Sequence, residues 1–123
     1  MWLRILVVDD QKEFLSLLHL FIQDMCCHIT LESDGMAALK ALRDQTFNLI
    51  ITDVVMYPLS GIDLVSHIRQ MDKKVPIIAM SGMAKEYWQH QLEHYSNIKF
   101  WIKDGDFGML KSLVQACLYP ERV

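Results

Sequence analysis

Five short apolar runs rich in branched side chains alternate along this chain with stretches whose apolar residues recur every three or four positions. The first pattern predicts strands and the second helices, and the connections between them are too short to hold anything else. Strands joined through helices run parallel and must be covered on both faces. The expected fold is therefore α/β: a doubly wound, five-stranded parallel sheet with helices on both faces.

The runs fall at Leu3 to Val8, His28 to Glu32, Phe47 to Asp53, Val75 to Met80 and Ile98 to Ile102. The second alternates polar and apolar residues, as an edge strand does. The fourth carries Pro76 near its start, where a missing ladder donor costs least. In the first helical stretch Phe14, Leu17, Leu18, Phe21, Ile22 and Met25 form one stripe, and Asp10 to Glu13 resembles a capping box. The second helix is expected from Gly35 to Asp44. The third follows a Ser60/Asp63 cap with Leu64, Val65, Ile68 and Met71 inward, and ends near Asp72. Ala84 to Tyr95 is the weakest helix, with a thin stripe of Ala84, Trp88, Leu92 and Tyr95. The last stripe is Phe107, Leu110, Leu113, Val114, Cys117 and Leu118, and Pro120 ends it.

A chain of 123 residues with 52% hydrophobic residues matches one domain with a real core, expected to span 1–123. A net charge of −3 and the absence of any Lys/Arg run give no footprint for binding a polyanion, so no direct nucleic-acid contact is expected. Three cysteines, Cys26, Cys27 and Cys117, make an odd count suited to a reducing compartment. They read as small buried hydrophobes, because no second Cys/His pair stands at zinc spacing. Without a signal peptide or a membrane-length apolar run, a cytoplasmic location with no membrane contact is expected.

In an open parallel sheet ligands bind beyond the carboxyl ends of the strands, where the strand order reverses. For order 2-1-3-4-5 that point lies between strands one and three. Strand one ends in Asp9-Asp10, strand three in Asp53, strand four in Ser81 and strand five in Lys103. Converging carboxylates repel one another by several kcal/mol per close pair, at an effective dielectric of about 20, unless a cation relieves them. All-oxygen ligation without nearby His or Cys points to Mg²⁺. With Lys103 and Ser81 opposite, the crevice has what a transferring phosphoryl group needs around its oxygens, and a carboxylate is a competent nucleophile. Asp53 is the expected nucleophile, with Asp9 and Asp10 holding the metal.

The segments V-V-D-D, I-I-T-D-V-V-M, M-S-G and I-K, in this order and spacing, resemble the receiver domain of two-component response regulators over nearly the whole chain. The resemblance implies phosphorylation of Asp53 by a sensor histidine kinase or a phosphotransfer protein. It makes Asp10 a direct Mg²⁺ ligand, Asp9 a ligand mainly through water, and the Val55 backbone carbonyl a further ligand. Lys103 would hold the phosphoryl group, with Ser81 and Phe100 as the switch pair. The implied output is a downstream protein or output domain engaged through the face made by helix four, strand five and helix five, which includes Tyr87 and Trp88; a homodimer is also compatible with it. By the same resemblance the chain is a signalling receiver, not an enzyme in the ordinary sense, that assists its own phosphorylation and dephosphorylation.

Three departures from the family's pattern bear on this expectation. Lys103 is followed by Asp104 where the family usually has a cis proline, so the loop is expected to be trans and differently placed, with Asp104 competing for Lys103. Tyr57 pushes Pro58 one residue later than usual. Val55 and Met83 are apolar where quickly dephosphorylating members carry polar side chains, which predicts a long-lived phosphoryl form. Two other functions fit parts of the pattern. One is a receiver-like interaction module that ignores phosphate. The other is a Mg²⁺-dependent phosphohydrolase, although such enzymes usually carry Asp-x-Asp on one strand, which this chain lacks at Asp53.

Overall fold

The computed structural model describes residues 3–25, 27–82, 86 and 88–122. Its elements in chain order are β1 (Leu3–Val8), α1 (Lys12–Ile22), β2 (Cys27–Glu32), α2 (Gly35–Asp44), β3 (Leu49–Asp53), α3 (Gly61–Met71), β4 (Ile77–Ser81), α4 (Gln89–Leu92), β5 (Ile98–Ile102) and α5 (Phe107–Leu118). A 3₁₀ turn, Gln23–Met25, follows α1. The strands form one sheet in the order β2-β1-β3-β4-β5, every neighbouring pair parallel. This is the expected doubly wound fold, with β2 at one edge.

Because successive strand residues point to opposite faces, each strand feeds two cores. On one face Leu6, Val8, Ile50, Ile77 and Ala79 pack with Ala38, Leu64, Val65 and Ile68 of α2 and α3. On the other, Ile5, Val7, Leu49, Ile51, Ile78 and Met80 pack with Leu15, Leu18 and Ile22 of α1 and Leu110 and Val114 of α5. β3 and β4 are buried at every residue, which is why they read as continuous apolar runs. Among the described residues no helix is long and apolar enough to cross a membrane.

The helix ends follow local chemistry. Asp34 caps α2 by accepting from the Ala37 N–H, and Ser60 caps α3 by accepting from the Asp63 N–H. Asp106 caps α5 through the Met109 N–H. Arg69, buried near the end of α3, donates to the carbonyls of Asp72, Ser96 and Asn97 and so ties α3 to the approach of β5.

Several expectations are corrected. The capping box at Asp10 to Glu13 does not form: Gln11 is the N-cap without a side-chain cap bond, because the acidic residues before it face the strand ends. The buried stripe of α1 runs through Leu15, Leu18 and Ile22, while Leu17 and Phe21 stand on its exposed flank, where Phe21 stacks on Phe107 of α5. Met71 is exposed at the end of α3 rather than inward. β3 begins at Leu49 because Asn48 uses its side chain and backbone to bond Arg4, and β4 begins at Ile77 and includes Ser81. Among the described residues of the expected helix from Ala84 to Tyr95 the α-helix is Gln89–Leu92; Ala84, Lys85 and Tyr87 lie outside the described residues, as do Trp2, Cys26 and Met83. Trp88 and Leu92 are nonetheless buried, as the thin stripe requires. After α5, Pro120 opens a 3₁₀ turn, Pro120–Arg122.

Candidate functional site

The hydrophobic runs deliver their polar ends to one place. β1 and β3 are neighbours, so the residues that follow Val8 and Thr52, paired across the strands, emerge side by side. Asp9, Asp10 and Asp53 each present a carboxylate oxygen, all within 4.8 Å of one another. An open crevice of about 520 Å³ is lined by Asp10, Gln11, Phe14, Asp53, Val55, Ser81, Gly82 and Lys103. Four strand ends therefore converge as the sequence requires.

Asp53 lies at the crevice floor and is 5% exposed. The backbone at Asp53 and Val54 is fixed from three sides. The Thr52 hydroxyl donates to its carbonyl at 3.0 Å, the Val54 N–H donates to the Met80 carbonyl, and the Gly61 N–H donates to the Val54 carbonyl at 2.8 Å. At Gly61 the first turn of α3 approaches so closely that a Cβ would collide with the Asp53 carbonyl. Only glycine permits that approach.

Asp9 is fully buried. One of its carboxylate oxygens accepts from the Gln11 N–H at 2.9 Å, and the other from the Lys103 ammonium at 2.6 Å. The same ammonium reaches Asp53 at 3.3 Å and the Gln11 side-chain carbonyl at 3.2 Å. Burial, with Asp9 beside it, pushes the Asp53 carboxyl up to about 6, against the opposing pull of Lys103. Three carboxylates face one ammonium, so the ionised crevice is short of positive charge.

That donor set fits Mg²⁺. The ligand atoms are all oxygen, and their spacing is within reach of one octahedral ion with ligands at about 2.0–2.1 Å. Asp10 is exposed and open to a cation from solvent, whereas Asp9 is already engaged by Lys103.

Ser81, buried at the end of β4, lines the crevice, and its carbonyl accepts from the Lys103 N–H at 2.9 Å. Phe100 is half-buried on the other side of β5, its ring 5.3 Å from that of buried Trp88. The Val55 side chain is 55% exposed at the rim, and its N–H donates to the Asp53 carboxylate.

The expected rivalry of Asp104 for Lys103 is corrected. Asp104 turns its carboxylate to the Asp106 N–H at 3.0 Å, and Lys103 pairs with Asp9 and Asp53. The Lys103-Asp104 bond is trans, as expected, yet Lys103 still reaches the site. The cis peptide bond among the described residues is Tyr57-Pro58. Gln11 and Phe14 lie in the crevice although the sequence reading assigned them no role there. The missed signal was position: the first turn of a helix that starts directly after Asp9-Asp10 must overhang the strand ends.

Comparison with known proteins agrees with this geometry. A family model described as the response regulator receiver domain matches residues 5–115. The Regulator of RpoS from Escherichia coli (strain K12) is 28% identical over 95% of this chain and 35% of its own length, so the chain spans about a third of that relative. Transcription factor SKN7 of Candida albicans is 35% identical over 64% of this chain and 14% of its own. Among solved structures, the response regulator TrrA of Thermotoga maritima, in complex with Mg²⁺-BeF, superimposes with a TM-score of 0.86 at 28% identity, covering 94% of this chain and 99% of that one. The chemotaxis protein CheY4 of Vibrio cholerae shares the fold, with a TM-score of 0.88 at 22% identity over 96% of this chain and all of that one.

Proposed function

We propose that this chain, which belongs to the response regulator receiver domain family, accepts a phosphoryl group on Asp53 from a sensor histidine kinase or a phosphotransfer protein and relays the change to a downstream partner or output domain. The observation that carries this reading is the setting of Asp53, a buried carboxylate between one ammonium and two further carboxylates at the end of the central strand.

Each residue has a task in that reading. With its carboxyl at about 6, Asp53 is largely ionised at neutral pH, so an oxygen of the carboxylate can attack phosphorus. The bond from phosphorus to the imidazole nitrogen of the donor breaks, and the leaving nitrogen keeps the electron pair. Asp9, Asp10, Asp53 and the Val55 backbone carbonyl would hold Mg²⁺, which when bound neutralises charge on the phosphoryl oxygens. Lys103 needs to turn only part of its ammonium from Asp53 toward a new phosphoryl oxygen, since it already lies 3.3 Å from the nucleophile. The Ser81 hydroxyl is the second protein donor at the crevice.

The output follows from what surrounds these donors. Ser81 closes β4, and β4 pairs with β5 through Ser81 and Ile102. Phe100 of β5 packs on Trp88, just before α4, so movement of Ser81 toward the phosphoryl group changes the packing beneath the face formed by α4, β5 and α5. The two forms must differ in affinity for the partner, or nothing is signalled.

The test is incubation of the protein with a small acyl phosphate and Mg²⁺, followed by intact-mass measurement. Wild type gains one phosphoryl group and Asp53→Asn gains none. An absence of adduct in wild type would sink the proposal, and sustained multiple turnover of phosphoesters would replace it with a hydrolase.

A further inference from the structure

The Lys103 ammonium has four neighbours arranged around it. Three are acceptors, namely Asp9 at 2.6 Å, Gln11 at 3.2 Å and Asp53 at 3.3 Å, which match the three donors of an ammonium. The fourth is the ring of Phe14, with the nitrogen 4.4 Å from its centroid. That distance lies within cation–π range, and the partly buried setting strengthens the attraction.

Phe14 also holds the loop that carries Lys103. Its ring lies 6.3 Å from that of Trp101 and 6.0 Å from that of Phe107, and those two lie 5.5 Å from each other. Trp101 stands before Lys103 and Phe107 after it, so the contacts of Phe14 straddle the segment 103–106. The Trp101 indole N–H donates to the Asp106 carbonyl at 3.0 Å, closing the same loop from inside. Within the loop the Asp104 carboxylate accepts from the Asp106 N–H at 3.0 Å, and Gly105 supplies the φ of 93° that the turn needs. The packing of Phe14 on Trp101 and Phe107 adds side-chain support at both ends of this turn.

We propose that Phe14 is a positioning residue for Lys103, its ring face holding the ammonium over the crevice and its edges bracing the Lys103 to Asp106 loop. The inference rests on the functional reading above, in which Lys103 serves the phosphoryl group. The ring matters because, of these four neighbours of the ammonium, it alone accepts no hydrogen bond and so holds the nitrogen without competing for its donors. When a cation draws Asp9 and Asp10 together, or Asp53 becomes phosphorylated, the two carboxylate acceptors of Lys103 change. The ring does not, and so it keeps the ammonium within reach through each state.

The experiment compares wild type with Phe14→Leu and Phe14→Tyr. Leu keeps an apolar side chain against Trp101 and Phe107 but has no ring face, whereas Tyr keeps both. At saturating Mg²⁺, the limiting rate of adduct formation with a small acyl phosphate is expected to fall about fivefold in Phe14→Leu and to be rescued in Phe14→Tyr. Thermal unfolding of the three proteins checks that all are folded. A second readout needs no phosphorylation: the Lys103 ε-methylene protons, assigned by comparison with Lys103→Arg, should be shifted upfield by the ring in wild type and Phe14→Tyr and should lose that shift in Phe14→Leu. If Phe14→Leu leaves that resonance in place, or forms adduct as fast as wild type, the proposal is overturned. If wild type takes no phosphoryl group, the functional reading fails, and the Lys103 resonance alone still decides where Phe14 holds the ammonium.

Discussion

Replacing Asp53 by Asn should stabilise this protein, and the gain should depend on pH in a way fixed by the crevice. Burial first, and then Asp9, raise the Asp53 carboxyl from 3.8 to about 6 despite Lys103. One pKa unit corresponds to about 1.4 kcal/mol between protonation states, so ionised Asp53 costs the fold about 3 kcal/mol before screening. Water in the open crevice reduces that to about 2 kcal/mol. Asn carries no charge at any pH, and Lys103 still has Asp9 and Gln11 as acceptors.

The sign follows from proton uptake. Below the unfolded value both states hold the proton; between that value and about 6 the folded state keeps a proton that the unfolded chain has released. Wild-type stability from this group is therefore lost as pH rises through about 6. Urea unfolding without divalent cations, at about pH 4.5, 5.5, 6.5 and 7.5, should show the advantage of Asp53→Asn growing from under about 1 kcal/mol to about 2 kcal/mol, then levelling. Mg²⁺ should restore much of the difference in wild type, because a ligand that binds only the folded state stabilises it. An advantage that shrinks as pH rises, or none at neutral pH, would refute the assignment of Asp53 as a buried, charge-crowded carboxylate.

Other consequences are as direct. Gly61→Ala should destabilise by about 3 kcal/mol and slow adduct formation at Asp53, since the new Cβ would also lie 2.6 Å from the Val54 Cα; chemical unfolding and intact mass measure the two effects. Lys103→Met should bind Mg²⁺ about tenfold more tightly by calorimetry, because Asp9 no longer has to leave an ammonium, while adduct formation falls. Because Val55 presents an apolar, exposed side chain at the rim, the phosphoryl form should persist, and Val55→Asn should shorten its half-life in a phosphate-release assay.

The sheet was legible because its inner strands are buried on both sides and so carry unbroken apolar runs, whose ends mark the crevice. Asp9, Asp10, Asp53, Ser81 and Lys103 could be placed there from strand order alone. The Ser60 cap was legible for a local reason: its side-chain oxygen stands three residues before a helical N–H that needs an acceptor. What periodicity could not resolve was rotation about a helix axis. Leu15 rather than Leu17 is buried in α1, because α5 packs on one flank and takes Phe21 out of the stripe. Nor does periodicity say which turn of a helix overhangs a crevice, so Phe14 and Gln11 went unassigned. Asp104 was misjudged because the competing partner, the Asp106 N–H two residues on, exists only once the loop has turned. The short α4 reflects a stripe with little more than Trp88 and Leu92 to anchor it.

In the proposed function Asp53 takes the phosphoryl group, and the acidic cluster must hold a divalent cation for it to do so. The measurement is borohydride trapping of the protein after exposure to an acyl phosphate, with and without Mg²⁺, followed by peptide mass mapping. Reduction is expected at Asp53 alone, and only with Mg²⁺. Modification at another carboxylate, or equal modification of Asp53 in the presence of a chelator, would contradict it.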